Sequence, residues 1–337
     1  MTAVSAIVVA YGEEPWLERC VSSLVASDGV VVEVIVVDTT GAGPALDALE
    51  GRDGVKVVRP GRNLGFAGGC NLGARSASGD VIALVNQDAV VEPSTLRRLA
   101  DVALRPGVAI ATASIRLAHA PDRLNSAGND VHFLGFGWSG SYNLPATARD
   151  VEVDAVAASG AGMAVRRDLW EELGGFAEEY FAYHEDAELS VRCWQQGRRI
   201  VYVPGAVVTH RYEFSRNPRK YFLVERNRLL FCLTLYETRT LLLLAPALLC
   251  LELGMLAVAA QGGWLREKLA GWRWIASNRR WVAARRRRLQ LERTRPDREL
   301  APMLARRFDA GNLPLPQSLR PLDALLGPYW AVVLHLL

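Results

Sequence analysis

The chain opens on an apolar run, residues 4–10 (VSAIVVA), with no alternation of polar positions. Such a run fits a strand buried on both faces. A polar loop, Tyr11-Gly12-Glu13-Glu14, follows. Pro15 then opens a segment in which Leu17, Cys20, Val21 and Leu24 recur at helical spacing. Residues 31–37 repeat the strand pattern and end on Asp38, residues 44–50 read as a short helix, and residues 55–58 as a third strand. A fourth apolar run, residues 81–85, lies between a Gly79-Asp80 turn and the polar triplet Asn86-Gln87-Asp88.

Further along, residues 93–104 predict a helix and 108–113 a strand, followed by a less regular stretch to about residue 150. Strand character resumes over 151–158 and 162–165, and a short helix over 167–173 is stopped by Gly174-Gly175. A helix starts at Glu185, with Leu189, Cys193 and Trp194 on its apolar stripe. A strand over 199–203 and a helix over 218–236 follow. Strands alternating with helices predict an α/β fold with a mostly parallel sheet flanked by helices, whose ligand edge lies at the C-terminal ends of the strands. Tyr11, Asp38, Asn63 and Asp88 all fall on that edge.

Charge changes the picture only locally. The formal net charge is +3, yet residues 264–295 hold 11 Lys or Arg against two Glu, so the rest of the chain is net acidic. Residues 240–260 form an apolar run with one charge, Glu252, and one proline, Pro246; this is long enough to cross a bilayer. A single crossing would put either the preceding region or the Arg285–Arg288 run outside, against the positive-inside tendency. The expectation is therefore peripheral binding to an anionic membrane surface, helped by Trp264, Trp272, Trp274 and Trp281. Nucleic acid is not expected as a partner, since no recognised nucleic-acid fold accompanies the charges. Five widely spaced cysteines without a C-x-x-C pair argue for reduced thiols, and the N-terminus lacks the order of a signal peptide. The protein is expected on the cytoplasmic side, at the inner face of the cell membrane.

Candidate chemistry gathers in three places. Asp88, at a strand end, suits a divalent cation that bridges phosphates; alternatively the triplet merely closes a turn. The stretch Asn63-Leu64-Gly65-Phe66-Ala67-Gly68-Gly69-Cys70-Asn71-Leu72-Gly73 reads as a glycine-rich loop whose end opens a helix, and it matches neither a P-loop nor a dinucleotide fingerprint. Glu185 and Asp186 occupy the first turn of a helix beneath an aromatic cluster, a place for a general base and equally one that the helix dipole favours in any protein. His210 alone is a weak signal. The loop around Trp138 is either acceptor-facing or a surface loop with an aromatic plug.

Together these stretches resemble the family 2 inverting glycosyltransferases of GT-A fold, and within them the rhamnosyltransferase-like branch. The likeness runs from about residue 4 to 236 and rests chiefly on the Asn63–Gly73 pattern, Gly79-Asp80 and the triplet ending at Asp88. Tyr183-His184-Glu185-Asp186 looks like the acceptor-activating motif, His210 like a late metal-binding histidine, and Arg226-Asn227 like a pair found just beyond it. The family's D-x-D motif stands here as Asn86-x-Asp88, and Thr39-Thr40 replace the usual Asn and Ser after Asp38.

The resemblance implies a glycosyltransferase domain over 1–236 and a helical, basic and apolar region over 237–337. It implies a metal-dependent inverting transfer of a sugar, with rhamnose one candidate, from a nucleoside-diphosphate sugar to a hydroxyl of a lipid-linked or cell-envelope glycan. Asp186 would be the catalytic base; Ala10, Tyr11, Glu13, Asp38, Asn63, Gly65, Phe66, Asn71 and Asn86 would bind the nucleotide sugar; Glu185 and Trp138 would orient the acceptor; Asp88 and His210 would hold Mg2+ or Mn2+. A catalytically silent sugar-nucleotide-binding or membrane-scaffold protein of the same fold is the alternative. A nucleotidyltransferase lacks support in the N-terminal loop.

Overall fold

The first half of the chain alternates as its pattern predicts: β1 (Thr2–Ala10), α1 (Leu17–Val25), β2 (Val30–Asp38), α2 (Pro44–Asp47), β3 (Val55–Val58), α3 (Gly65–Arg75) and β4 (Val81–Val85). There follow β5 (Ala89–Val91), α4 (Thr95–Ala103), β6 (Val108–Leu117), β7 (Ala120–Ser126), β8 (Asn129–Val131), β9 (Gly137–Ser139), β10 (Val153–Asp154), β11 (Gly162–Arg166), α5 (Arg167–Leu173), α6 (Glu185–Gln195) and β12 (Arg199–His210). The rest is helical: α7 (Lys220–Leu235), α8 (Thr238–Gln261), α9 (Leu265–Ser277), α10 (Arg279–Glu292), α11 (Asp297–Leu300) and α12 (Arg320–Leu336). This computed structural model describes residues 1–40, 44–212, 219–308, 311 and 320–337. Pro218, the expected start of the last core helix, lies outside the described residues.

The chain divides into two units. Unit 1 comprises Met1–Asn129, Ser139–Ser190 and Arg198–Tyr212; unit 2 comprises Asp130–Trp138, Val191–Gly197 and Glu213–Leu337. Thus α7, which the sequence pattern groups with the preceding strands, belongs to unit 2.

In unit 1 the strands form one sheet in the order β10-β12-β6-β11-β4-β1-β2-β3, with β5 added to β12 and β7 to β6. The pairs β1–β2, β2–β3, β1–β4 and β6–β12 are parallel, whereas β11 runs antiparallel to both β4 and β6. The sheet is therefore mixed. Strand order reverses at β1, which lies between β2 and β4, so the crevice at its C-terminal end is where a doubly wound sheet takes a ligand. Val8, Val36 and Ala83 from three of these strands pack with Leu17, Val21 and Leu24 of α1 in one core.

The structure corrects four details. The glycine-rich stretch is not a loop that ends in a helix: α3 begins at Gly65 and contains Gly68, Gly69 and Gly73. A Cβ on Gly69 would stand 2.7 Å from Val9 Cγ1, and one on Gly73 2.5 Å from Ile7 Cγ2, so glycine lets the helix lie directly on β1. The stretch expected to be irregular holds β7, β8 and β9. The strand expected over 151–158 is reduced to Val153–Asp154, and Ala157 instead bonds back and forth with Asn129. Residues 199–210 form one strand, carried past Pro204-Gly205 by a register shift between Val203 and Val207.

Candidate active site

The ends of β4, β7 and β12 bring four polar side chains together. His210, last residue of β12 and cross-strand partner of Ala89, has Nε2 at 3.1 Å from Asp88 Oδ1 and 3.3 Å from Asn86 Nδ2. Its Nδ1 stands 2.8 Å from Oδ1 of Asn125, a buried residue of β7. An amide oxygen only accepts, so in this arrangement Nδ1 carries the proton and a neutral ring keeps its lone pair on Nε2. A lone pair that close to a carboxylate oxygen is repulsive unless the ring is protonated or a cation lies between them. One carboxylate and one imidazole nitrogen, with the imidazole's other nitrogen fixed by a neighbour, fit a divalent cation that takes its remaining ligands from phosphate and water. Among the described residues, no group of three or more His, Cys, Asp or Glu is arranged to hold a metal by itself. The donor set suits a cation shared with an anionic substrate.

The middle residue of the triplet joins this site to the loop after β1. Gln87 donates from Nε2 to Tyr11 O (2.8 Å) and accepts from Tyr11 N–H (3.0 Å). Thr39 donates to Ala10 O from both its hydroxyl (2.8 Å) and its N–H (3.0 Å), locking the ends of β1 and β2 side by side. Asp38 is buried there, accepting from Thr40 N–H at 3.0 Å with Arg59 Nε 3.7 Å away. Glu13 is exposed. Its neighbour Glu14 is buried, accepting from Trp16 N–H at 3.0 Å and pairing with Arg211 at 3.2 Å.

Asp186 lies in the first turn of α6. Its Oδ2 accepts from Gly160 N–H (3.0 Å) and Asn129 Nδ2 (3.2 Å), and its Oδ1 from Ala187 N–H (2.7 Å). Gly160 stands two residues before Gly162, which pairs with Val85 at the end of β4, and Asn86 N–H donates to Ala161 O at 3.4 Å. The same turn therefore holds the triplet and the candidate base. A Cβ on Gly160 would lie 2.9 Å from Phe66 Cε1 and 3.7 Å from Asp186 Oδ2, so a hydrogen there lets an aromatic ring and the carboxylate close in together.

Burial raises the pKa of Asp186, while the N–H groups of Gly160 and Ala187 partly offset the rise. Glu185 is pushed well above the usual carboxylate range, by burial first and by the charge of Asp186 second. Its Oε2 finds no hydrogen-bond partner among the described residues. Two adjacent carboxyls so placed do not both ionise readily, and the better-solvated Asp186, with three donors, is the one to carry the charge. Upstream, Phe181, Tyr183 and His184 all have positive φ (64°, 69° and 69°), Phe181 at the centre of a tight turn closed by Ala182 N–H on Tyr180 O at 2.7 Å, conformations that cost about 1–3 kcal/mol each in non-glycine residues. Phe181 O accepts from Ala67 N–H at 3.0 Å, and Gly65 N–H donates to Asn63 Oδ1 at 2.8 Å, so the start of α3 and the approach to α6 are tied together.

One expectation is revised by these bonds. Asn71 donates to Phe176 O (2.9 Å) and accepts from Phe176 N–H (3.0 Å), so its amide clasps a main chain instead of facing a donor. Gly79-Asp80 sits at the opposite end of β4, where Gly79 N–H donates to Ser5 Oγ at 2.9 Å. Trp138 is buried in unit 2, near the rings of His132 and Phe308. Arg226 and Asn227 are also buried in unit 2, the guanidinium between Phe222 and Trp274 and donating to Asn227 Oδ1. Gln87, Asn125, Asn129 and Gly160 went unpredicted. Gln87 was at least within the triplet; the other three lie in stretches without periodicity.

The profile described as Glycosyltransferase like family 2 matches residues 2–229. The chain belongs to this glycosyltransferase family. One relative, the succinoglycan biosynthesis protein ExoO of Rhizobium meliloti, is 37% identical over 110 residues, 32% of each chain. The O-antigen biosynthesis protein RfbC of Myxococcus xanthus is 30% identical over 154 residues, 43% of this chain and 12% of that one. The chain thus matches a third or less of these two relatives' length. The N-acetylglucosaminyl-diphospho-decaprenol L-rhamnosyltransferase of Mycobacterium tuberculosis (strain H37Rv) is 29% identical over 239 residues, 62% of this chain and 76% of that one. Among solved structures, GalNAc-T7 with UDP, GalNAc and Mn2+ aligns at a TM-score of 0.59 and 17% identity, covering 70% of this chain and 48% of that one. The mannosyltransferase of Pyrobaculum calidifontis with GDP-Man and Mn2+ aligns at 0.52 and 19%, covering 86% and 85%. At such identity the likeness is one of fold, and this family 2 chain has the GT-A fold.

Proposed function

We propose that the protein is a metal-dependent inverting glycosyltransferase that moves a sugar from a nucleoside diphosphate to a hydroxyl of a lipid-linked or cell-envelope glycan. The observation that carries this reading is the single turn, Gly160 to Gly162, that supports both Asp186 and the strand end leading to Asp88. An acceptor hydroxyl loses its proton as it attacks the anomeric carbon, and Asp186, with its raised pKa, takes that proton. Displacement in one step inverts the anomeric centre. Asp88 and His210 would hold Mg2+ or Mn2+, which when bound would stabilise the charge growing on the departing diphosphate. Asp38, Ala10, Tyr11 and Glu13 contact the nucleoside, Asn63, Gly65, Phe66 and Asn86 line the sugar-diphosphate pocket, and Asn71 acts on that pocket through Phe176. Glu185 orients the acceptor, whereas Trp138, buried among the rings of unit 2, is not given that role.

The mycobacterial relative, named for transfer of rhamnose to a diphospho-decaprenol-linked sugar, supports a lipid-linked acceptor and makes rhamnose the first donor to try. Such an acceptor suits a protein bound peripherally to the inner, anionic face of the cell membrane. Purified protein screened by calorimetry against a panel of sugar nucleotides with Mn2+ should bind at least one, and should release nucleoside diphosphate when a lipid-linked acceptor is added. Activity should vanish on chelation. Binding of a donor with neither hydrolysis nor transfer would leave the alternative, a silent sugar-nucleotide-binding protein; full activity in excess chelator would remove the metal from the mechanism.

A further inference from the structure

In unit 2, α8 is the one helix among the described residues long and apolar enough to cross a membrane, yet its side chains divide into two unlike faces. Leu242, Leu249 and Leu253 are 70%, 63% and 59% exposed, and at about 100° per residue they fall within about 40° of one another. Leu244 and Leu251 are buried. Near the helix middle, Glu252 accepts from Arg228 of α7, from Lys268 Nζ of α9 (2.8 Å) and from Trp272 Nε1 (2.7 Å). Glu225 of α7 completes the group, 2.5 Å from Lys268 Nζ and 3.3 Å from Arg228 Nη2. Two acids and two bases are thus closed on each other, with only Glu252 partly reached by solvent. Carrying α8 across a bilayer would take Glu252 into hydrocarbon and leave Arg228 and Lys268 with one acid between them, an arrangement far costlier than the closed one.

Beside α8, α12 repeats its exposed spacing with Leu325, Val332 and Leu336 while burying Leu326, Trp330 and Val333. The two helices are joined by Tyr329, whose hydroxyl donates to Leu243 O, and by Arg239, which donates to Leu336 O. The basic region is sorted as well. Lys268 is in the closed group, Arg286 donates to Leu233 O and Tyr236 O at the end of α7 (2.7 Å each), and Arg293 pairs with Asp297 at 2.5 Å. Arg266, Arg273, Arg279, Arg280 and Arg287 are exposed. Anionic headgroups complement these cations, which lie on α9 and α10, the two helices that follow α8.

We propose that α8 and α12 form a bilayer-facing surface on which α8 lies in the plane of the membrane interface, held there by the ion pairs of Glu252 with Arg228 and Lys268. This rests on the peripheral association proposed above and adds its surface and orientation. Among the five cysteines only Cys250 is exposed, and it lies on α8. The full-length protein, labelled at Cys250 or, in a Cys250→Ser background, at Leu242→Cys or Ala257→Cys, is mixed with vesicles of phosphatidylcholine and phosphatidylglycerol. Depth is read by quenching from spin-labelled lipids, and binding by flotation. Similar shallow depths at all three positions are expected, and reversal of Arg279 and Arg280 to Glu should lower vesicle affinity at least about tenfold at low salt. Depths graded from one leaflet to the other would mean that α8 spans. Flotation with all three labels in water, or labels shielded by a second copy, would overturn the surface while leaving peripheral association standing. No flotation would overturn both.

Discussion

Each unit contains a cluster of charge, and the two are built on opposite plans. In unit 2, Glu225, Arg228, Glu252 and Lys268 balance one another within hydrogen-bond reach, and although burial alone would raise Glu225, Arg228 and Lys268 hold its pKa below the usual value. In unit 1 the strand ends carry Asp38 and Asp88 and the first turn of α6 carries Glu185 and Asp186; a histidine nitrogen faces one of these carboxylates, and among the described residues an oxygen of another finds no hydrogen-bond partner. A closed cluster fixes structure. One with negative charge in excess asks for something from outside: a cation, a proton, or a substrate hydroxyl that will give one up.

Removing a member from each cluster should therefore have different kinds of consequence. Asp186→Asn should lower the turnover of transfer by about 10²–10⁴-fold, with donor affinity and melting temperature little changed, as measured by steady-state kinetics, calorimetry and thermal denaturation. Near-wild-type turnover would remove the base from Asp186. Arg228→Met should instead cost roughly 3–5 kcal/mol of stability in urea titration, because it leaves buried charge uncompensated. Pairing it with Glu252→Leu should restore part of that loss by bringing the cluster back to neutrality, and a double variant weaker than the single one would mean that the cluster is not a unit.

A subtler change sharpens the metal side. Asn125→Leu keeps the volume but frees the histidine tautomer, so Mn2+ affinity in the presence of nucleoside diphosphate should fall by about 10–100-fold, read by the electron paramagnetic resonance of free Mn2+. Unchanged affinity would mean that Asn125 does not set the ring. The smallest effect concerns Glu185. Its folded-state pKa is raised, so the stability it contributes is complete below the ordinary carboxylate pKa and is lost as pH rises through the folded value. Glu185→Gln should flatten the fall in melting temperature as the pH is raised across that window, and a curve parallel to the parent's would contradict the assignment.

Much of unit 1 was legible because buried parallel strands announce themselves as apolar runs, and a parallel sheet puts ligands at strand ends; that logic alone singled out Asp38 and Asp88. Asp186 and His210 needed the family resemblance, since one acid in a first helical turn and one lone histidine carry little by themselves. Asn125 and Asn129 were illegible for a physical reason: they act on residues 85 and 57 positions away, and side-chain partnerships of that range leave no periodic trace. The glycines of α3 misled, because close packing on a strand asks for the same residue as a flexible loop does. In unit 2, Glu252 was visible as a solitary charge, but its partners on α7 and α9 were not.

The three residues of positive φ before α6 have one more consequence. A more heat-resistant form of this protein could be sought by setting glycine at Tyr183, the half-buried one of the pair with φ 69°, a conformation that glycine adopts freely. The same exchange would loosen the segment that leads into Asp186, so heat resistance and turnover would be expected to move in opposite directions along this short stretch of chain.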